Sequence, residues 1–96
     1  MKIRELWEDQ TAWTQHAFAR DARGHDVSPL GSLHPSAVSW CLAGVLGRCY
    51  PDGKDAQRVW HRLHAALFEL GESSVVRFND SRSFREVKDL VDRLDI

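Results

Sequence analysis

The stretch Ser39-Trp-Cys-Leu-Ala-Gly-Val-Leu-Gly-Arg-Cys49 carries the strongest structural signal in the chain. It reads as a helix that is apolar nearly all the way round. A helix without a polar face belongs in the centre of a domain, with other elements packed on several sides. Cys41, Ala43, Gly44 and Gly47 give it small contact points. A glycine inside a helix costs about 1 kcal/mol against alanine, so the expected reason for these two is the close approach of a neighbour. Pro35 suits a first helical position and Pro51-Asp-Gly53 a stop, which sets the expected span at 35–49.

Before this helix, residues 3–9 read as a short helix with Ile3, Leu6 and Trp7 on one side. Residues 13–21 read in two ways. As a strand they place Trp13, Gln15, Ala17 and Ala19 on one face; as a helix they group Trp13, Ala17 and Phe18. Asp21-Ala-Arg-Gly24 has turn chemistry, which favours a short β-hairpin completed by residues 25–28. Residues 29–34 read as a loop.

After the central helix, residues 54–70 carry a stripe of Val59, Trp60, Leu63, Leu67 and Leu70, with Gly71 as the stop. Residues 74–78 are β-prone and predict a strand or extended link. Ser83-Phe-Arg-Glu86 has capping-box spacing and opens a last helix running to Leu94. Phe84, Val87, Leu90, Val91 and Leu94 face inward there, while Arg85–Asp89, Lys88–Asp92 and Asp89–Arg93 lie at i,i+4 on the outer face. The expected fold is a single helix-rich α+β domain over residues 1–96. It has a central buried apolar helix, two further main helices, a short N-terminal helix and a minor β-hairpin or strand.

Composition excludes several functions. Residues 1–48 carry five charges of each sign, and residues 49–96 carry eight basic and nine acidic residues, for a net charge of −1. The basic footprint of a nucleic-acid binder is therefore missing, and such binding would need Arg20, Arg23, Arg77 and Arg82 on one face. The N-terminal residues hold no apolar core of signal-peptide length, and no apolar run approaches a bilayer span. A soluble cytoplasmic protein is expected. Cys41 and Cys49, eight residues apart on one helix, would be separated by about 12 Å, too far for a disulfide and consistent with reduced thiols.

The candidate chemistry is sparse. Cys41 invites a nucleophile reading, but a place in the second turn of an apolar helix would raise its pKa and favours a packing role. His61 and His64 lie at i,i+3, yet no further metal ligand is signposted, and no cofactor is expected. The sequence has no phosphate-binding glycine loop and no nucleophile elbow. What remains is a polar cluster of Gln15, Arg20, Asp21, Asn79 and Asp80, each beside residues that should reach the core. Turn and cap duties compete for the same side chains. The leading expectation is a small accessory protein without catalytic activity, acting through a protein partner or through self-association of the N-terminal segment. An exposed apolar patch with Trp7, Trp13 or Phe18 would serve that role. A small-molecule binder or enzyme using the polar cluster is the alternative.

Trp13-x-Gln15-x-Ala17-x-Ala19-Arg20-Asp21-x-x-Gly24, Pro35-x-Ala37-Val38-x-Trp40-Cys41-x-x-Gly44, Phe78-Asn79-Asp80 and Ser83-x-x-Glu86-Val87 occur in that order. This set, over residues 12–94, resembles a family of small bacterial and phage-borne proteins classified only as a domain of unknown function. The chain departs from the pattern at His16, in place of a small residue, and at His34, in place of an acidic one. The resemblance implies a shared fold and a phage- or defence-related setting, and carries no ligand or site residue.

Overall fold

The computed structural model describes residues 1–27 and 33–96. Its elements are helix α1 (Ile3–Leu6), a 3-10 turn at Gln10–Ala12, strands β1 (Ala19–Arg20) and β2 (Ser39–Trp40), and helices α2 (Leu42–Cys49), α3 (Gly53–Glu69), α4 (Val75–Ser81) and α5 (Phe84–Leu94). The helix-rich α+β architecture is as expected. Of the loop expected at 29–34, residues 29–32 lie outside the described residues.

Helix α2 is the hub, packing on α1, α3 and α4. It contributes Leu42, Val45, Leu46 and Cys49 to a core completed by Ile3, Trp7, Val59, Leu63, Leu67, Val75, Phe78, Val87, Leu90 and Val91. It is nonetheless shorter than the expected 35–49. Residues 39–40 are a strand, because their backbone groups are claimed by the segment ahead of them: Ala19 pairs with Trp40 and Arg20 with Ser39 in an antiparallel register. Pro35 sits in a separate turn, where Ala37 N donates to the His34 carbonyl and Ser36 N to His34 Nδ1. Cys41 is thus the N-cap of α2 rather than a residue of its second turn, and its Sγ accepts from Gly44 N at 3.3 Å.

The expected turn forms at Asp21–Gly24. Gly24 takes the left-handed conformation at φ 81°, and Val27 N reaches back to the Ala19 carbonyl. The hairpin is brief, with Arg20 bridging Asp26, and β1 finds its named partner in β2 instead. Of the two readings of residues 13–21, the extended one holds at β1.

The expected strand at 74–78 is helix α4. Ser74 Oγ caps it by accepting from Arg77 N, and the helical period puts Val75, Phe78 and Asn79 on one buried face. Two adjacent valines favour a strand only when a sheet is there to receive them, and here the tertiary surface of α2 and α3 receives a helix. The capping box forms as expected, with Ser83 and Glu86 bonding each other's backbone amides. Helix α3 starts on Asp52, whose carboxylate accepts from Lys54 N and Asp55 N, and ends at Gly71 with φ 77°. Leu70, expected in the inward stripe, lies beyond the helix as its C-cap and is half exposed. On α5 the Lys88–Asp92 pair forms at 2.8 Å.

Candidate functional site

Asn79 organises the polar cluster expected from the sequence. Its side chain is fully buried, and all four of its hydrogen-bonding positions are used. Oδ1 accepts from Trp13 Nε1 at 2.7 Å and from Leu42 N at 3.1 Å; Nδ2 donates to the Thr14 carbonyl and to Asp80 Oδ1, both at 3.0 Å. Two obligate donors on one side and a carbonyl on the other fix the orientation of the amide. Leu42 N is the first amide of α2, so Asn79 caps that helix across the fold while Cys41 caps it locally. The arrangement fits the need to satisfy the free amides at a helix start.

Gln15 works on the neighbouring helix end. Its Nε2 donates to the carbonyls of Asn79 and Arg82, which α4 leaves without intrahelical partners. Arg20 clamps the hairpin to residues 14 and 15, donating to Thr14 Oγ1, the Gly24 carbonyl and the Gln15 carbonyl. Gln15, Arg20, Asn79 and Asp80 therefore belong to one connected network. Asp21 serves its own turn instead, which it closes by accepting from Arg23 N and His25 N at Oδ1. The hydrogen bond from His25 N holds the Asp21 carboxyl below its ordinary value. The bonds of the other four make the network a latch that fixes the extended segment 13–20 across α2 and α4.

Beside the latch lies a cleft of about 390 Å³, lined by His16, Ala17, Phe18, Asp26, Cys41, Val76 and Asp80. Asp80 is the residue of the expected cluster that lines it. The rest of the lining follows from the sheet register. One step beyond the Ala19–Trp40 pair, Cys41 N donates to the Phe18 carbonyl at 3.2 Å, and strand alternation puts Phe18 and Cys41 together on the face opposite buried Ala19 and Trp40. Phe18 and Val76 are half exposed and form apolar walls.

His16 has φ 65°, a left-handed conformation rarely taken by a residue with a β-carbon. Asp80 holds it there. Asp80 Oδ1 accepts from His16 N at 3.0 Å, and Oδ2 lies 3.6 Å from Nδ1 of the exposed imidazole. Burial pushes the Cys41 thiol above the ordinary cysteine value, against the opposing pull of the first-turn amides of Gly44 and Ala43; the nearby Asp80 charge raises it further. A place inside a helix would have left Cys41 a packing residue; in the sequence His16 stands out only as a departure from the family pattern, and Val76 not at all. The signal that could have found His16 is its alternation with Phe18, two residues on.

Other candidate features have visible structural duties. Arg82 pairs with Glu72 at 2.6 Å and Glu86 at 3.1 Å and lies over the Phe78 ring. His64 packs against Trp60 at 4.6 Å between ring centroids. Among the described residues, no group of three or more His, Cys, Asp or Glu side chains is placed to hold a metal ion, and no helix is long and apolar enough to cross a membrane. Trp7, expected at a surface patch, is fully buried, with its ring edge-on to Phe84 at 6.1 Å.

The molecule is thus a small helix-rich α+β domain in which a buried asparagine latch supports an open cleft. It belongs to the family of unknown function DUF6197, whose model matches residues 2–94. No curated protein and no solved structure gives a significant match to the chain.

Proposed function

We propose that the protein binds a small organic ligand in the cleft between residues 16–18, the start of α2 and α4. The observation that carries this is the pairing of two half-exposed apolar walls, Phe18 and Val76, with the carboxylates of Asp26 and Asp80 around one concavity. Its size and its mixture of apolar walls with a few polar groups suit a small ligand. The carboxylates favour one that carries a cationic or hydrogen-bond-donating end. The latch supports the reading, because a site built on locked side chains is preorganised. Two free, buried cysteines favour a reducing, cytoplasmic setting.

The test is a pair of NMR titrations of isotopically labelled protein with benzylamine and with benzoate, which share a ring and differ in charge. Benzylamine should shift the amides of Ala17, Phe18, Val76 and Asp80, benzoate should shift them far less, and Asp80→Asn should weaken the benzylamine response. Equal responses to both, or shifts confined to other surfaces, would overturn the reading.

A second reading, docking of a protein partner, draws support from Phe68, which is 83% exposed at the end of α3 near half-exposed Leu70. This is the accessory role, in a phage- or defence-linked setting, that the family resemblance suggested. Phe68→Glu should then abolish capture of a partner while leaving the benzylamine shifts intact. Undiminished capture by that variant would count against this surface.

A further inference from the structure

We propose that Cys41 is a nucleophile of the cleft, with His16 as its general base and Asp80 as the residue that positions His16, and that the substrate class is a small carboxylic ester or thioester. The proposal rests on the cleft reading above and gives that site a chemistry.

Three observations support it. The first is convergence: a thiol, an imidazole and a carboxylate drawn from three separate segments line one concavity. The second is their order. Asp80 faces Nδ1 of His16, at 3.6 Å, which leaves Nε2 as the nitrogen that can serve the cleft. A base steered by a carboxylate on its far nitrogen is the arrangement that activates weak nucleophiles. The third is the seat of the sulfur. Cys41 is the N-cap of α2, and the first-turn amides that face its Sγ, including Gly44 N at 3.3 Å, can also face a developing oxyanion beside it. The buried sulfur is a thiol at neutral pH, so a base has to remove its proton.

The reaction balances with water as the second substrate. His16 takes the Sγ proton as sulfur attacks the carbonyl carbon, and the carbonyl electron pair moves onto oxygen. Collapse of this intermediate expels the alcohol or thiol, which receives the proton from His16, and leaves an acyl group on Cys41 as a thioester. Water, giving its proton to the same imidazole, then attacks the thioester. The carboxylic acid leaves and the Cys41 thiol is restored.

The experiment uses p-nitrophenyl acetate as the acyl probe and iodoacetamide as a non-acyl probe on the whole protein, read by intact mass and peptide mapping. Cys49 is similarly buried and serves as the internal report of core opening. Acetylation should fall on Cys41 and not on Cys49, with release of p-nitrophenolate. Its rate should rise with pH. His16→Asn retains the backbone amide and tolerates the left-handed conformation, so it should keep the melting curve while slowing acetylation by about 100-fold, the lower end of general-base contributions. It should also move the rise in rate to higher pH, where the buried thiol ionises without a base. Asp80→Asn should slow acetylation in the wild-type background but not further in His16→Asn, because Asp80 acts through His16.

Failure of Cys41 to react with either probe, equal labelling of both cysteines, or an unchanged rate in His16→Asn would overturn the proposal. The benzylamine titration separates this outcome from failure of the binding reading. Intact shifts with an inert Cys41 remove the nucleophile and leave the cleft.

Discussion

The α-carbon of Gly44 lies against the carbonyl of Phe18, so closely that a β-carbon there would sit 2.0 Å from the oxygen and 2.9 Å from the carbonyl carbon. Both are backbone atoms, and the same carbonyl accepts the hydrogen bond from Cys41 N. Neither can step aside without opening the junction between segment 13–20 and α2. Gly44→Ala should therefore destabilise the protein by about 2–3 kcal/mol, even though alanine favours the helix by about 1 kcal/mol. Urea denaturation measures it. A variant as stable as wild type would show that this contact does not exist.

Asn79→Ala should be costlier, because it leaves Trp13 Nε1, Leu42 N and the Thr14 carbonyl without their buried partner. With about 1–3 kcal/mol for each orphaned group and some relaxation, a loss of about 3–5 kcal/mol is expected. Asn79→Asp makes a sharper comparison. It aims a carboxylate at the Thr14 carbonyl and at Asp80, so the new group's folded pKa should lie above its unfolded one. That variant should be at its most native-like in mild acid and lose stability as pH rises through the raised folded value. A pH-independent deficit would contradict the latch geometry.

His16→Gly should raise stability by about 1 kcal/mol, since glycine takes φ 65° without the β-carbon clash and keeps the amide that bonds Asp80. The same variant should lose the reactivity assigned to Cys41. Thermal melting and acetylation rate should then move in opposite directions. Parallel changes would show that the imidazole serves the fold alone.

Asp21 offers a test in acid. The hydrogen bond from His25 N lowers its folded pKa below 3.8, so its contribution is present above that value and is lost as pH falls through the folded one. Asp21→Asn keeps the acceptor oxygen and does not titrate. The stability advantage of wild type over this variant should shrink on acidification, and a constant difference would remove Asp21 as the source.

Local chemistry is the most legible part of this fold in the sequence. The Ser83–Glu86 capping box, the Gly71 stop and the Asp21–Gly24 turn are each settled by interactions within a few residues, and each forms as expected. The errors lie where partners are distant. Trp40 and Cys41 look helical beside Leu42–Leu46, and only the pairing with residue 19 and the bond to Phe18 pull them out. Val75 and Val76 look like a strand until helices α2 and α3 supply a surface for α4. The candidate residues share that split. Gln15, Arg20, Asn79 and Asp80 do meet, but their hydrogen-bonding groups face backbone as much as one another, which composition and spacing do not encode. The cleft is hidden from the sequence because moving Cys41 from a helix turn to a cap changes what its sulfur faces.

The reach of the Asn79 side chain has a consequence for how the protein is made. It bonds groups 37, 65 and 66 residues earlier in the chain. As the polypeptide emerges from a ribosome, α2 and the segment that will edge the cleft are complete in sequence well before residue 79 is available to them. Until then the first amide of α2 and the indole of Trp13 lack their native partner. Separations this long slow the search for native pairing. The cleft is therefore a late product of synthesis, assembled when α4 arrives, and a nascent chain stalled short of that helix should hold its thiol and His16 without the carboxylate proposed to position the imidazole.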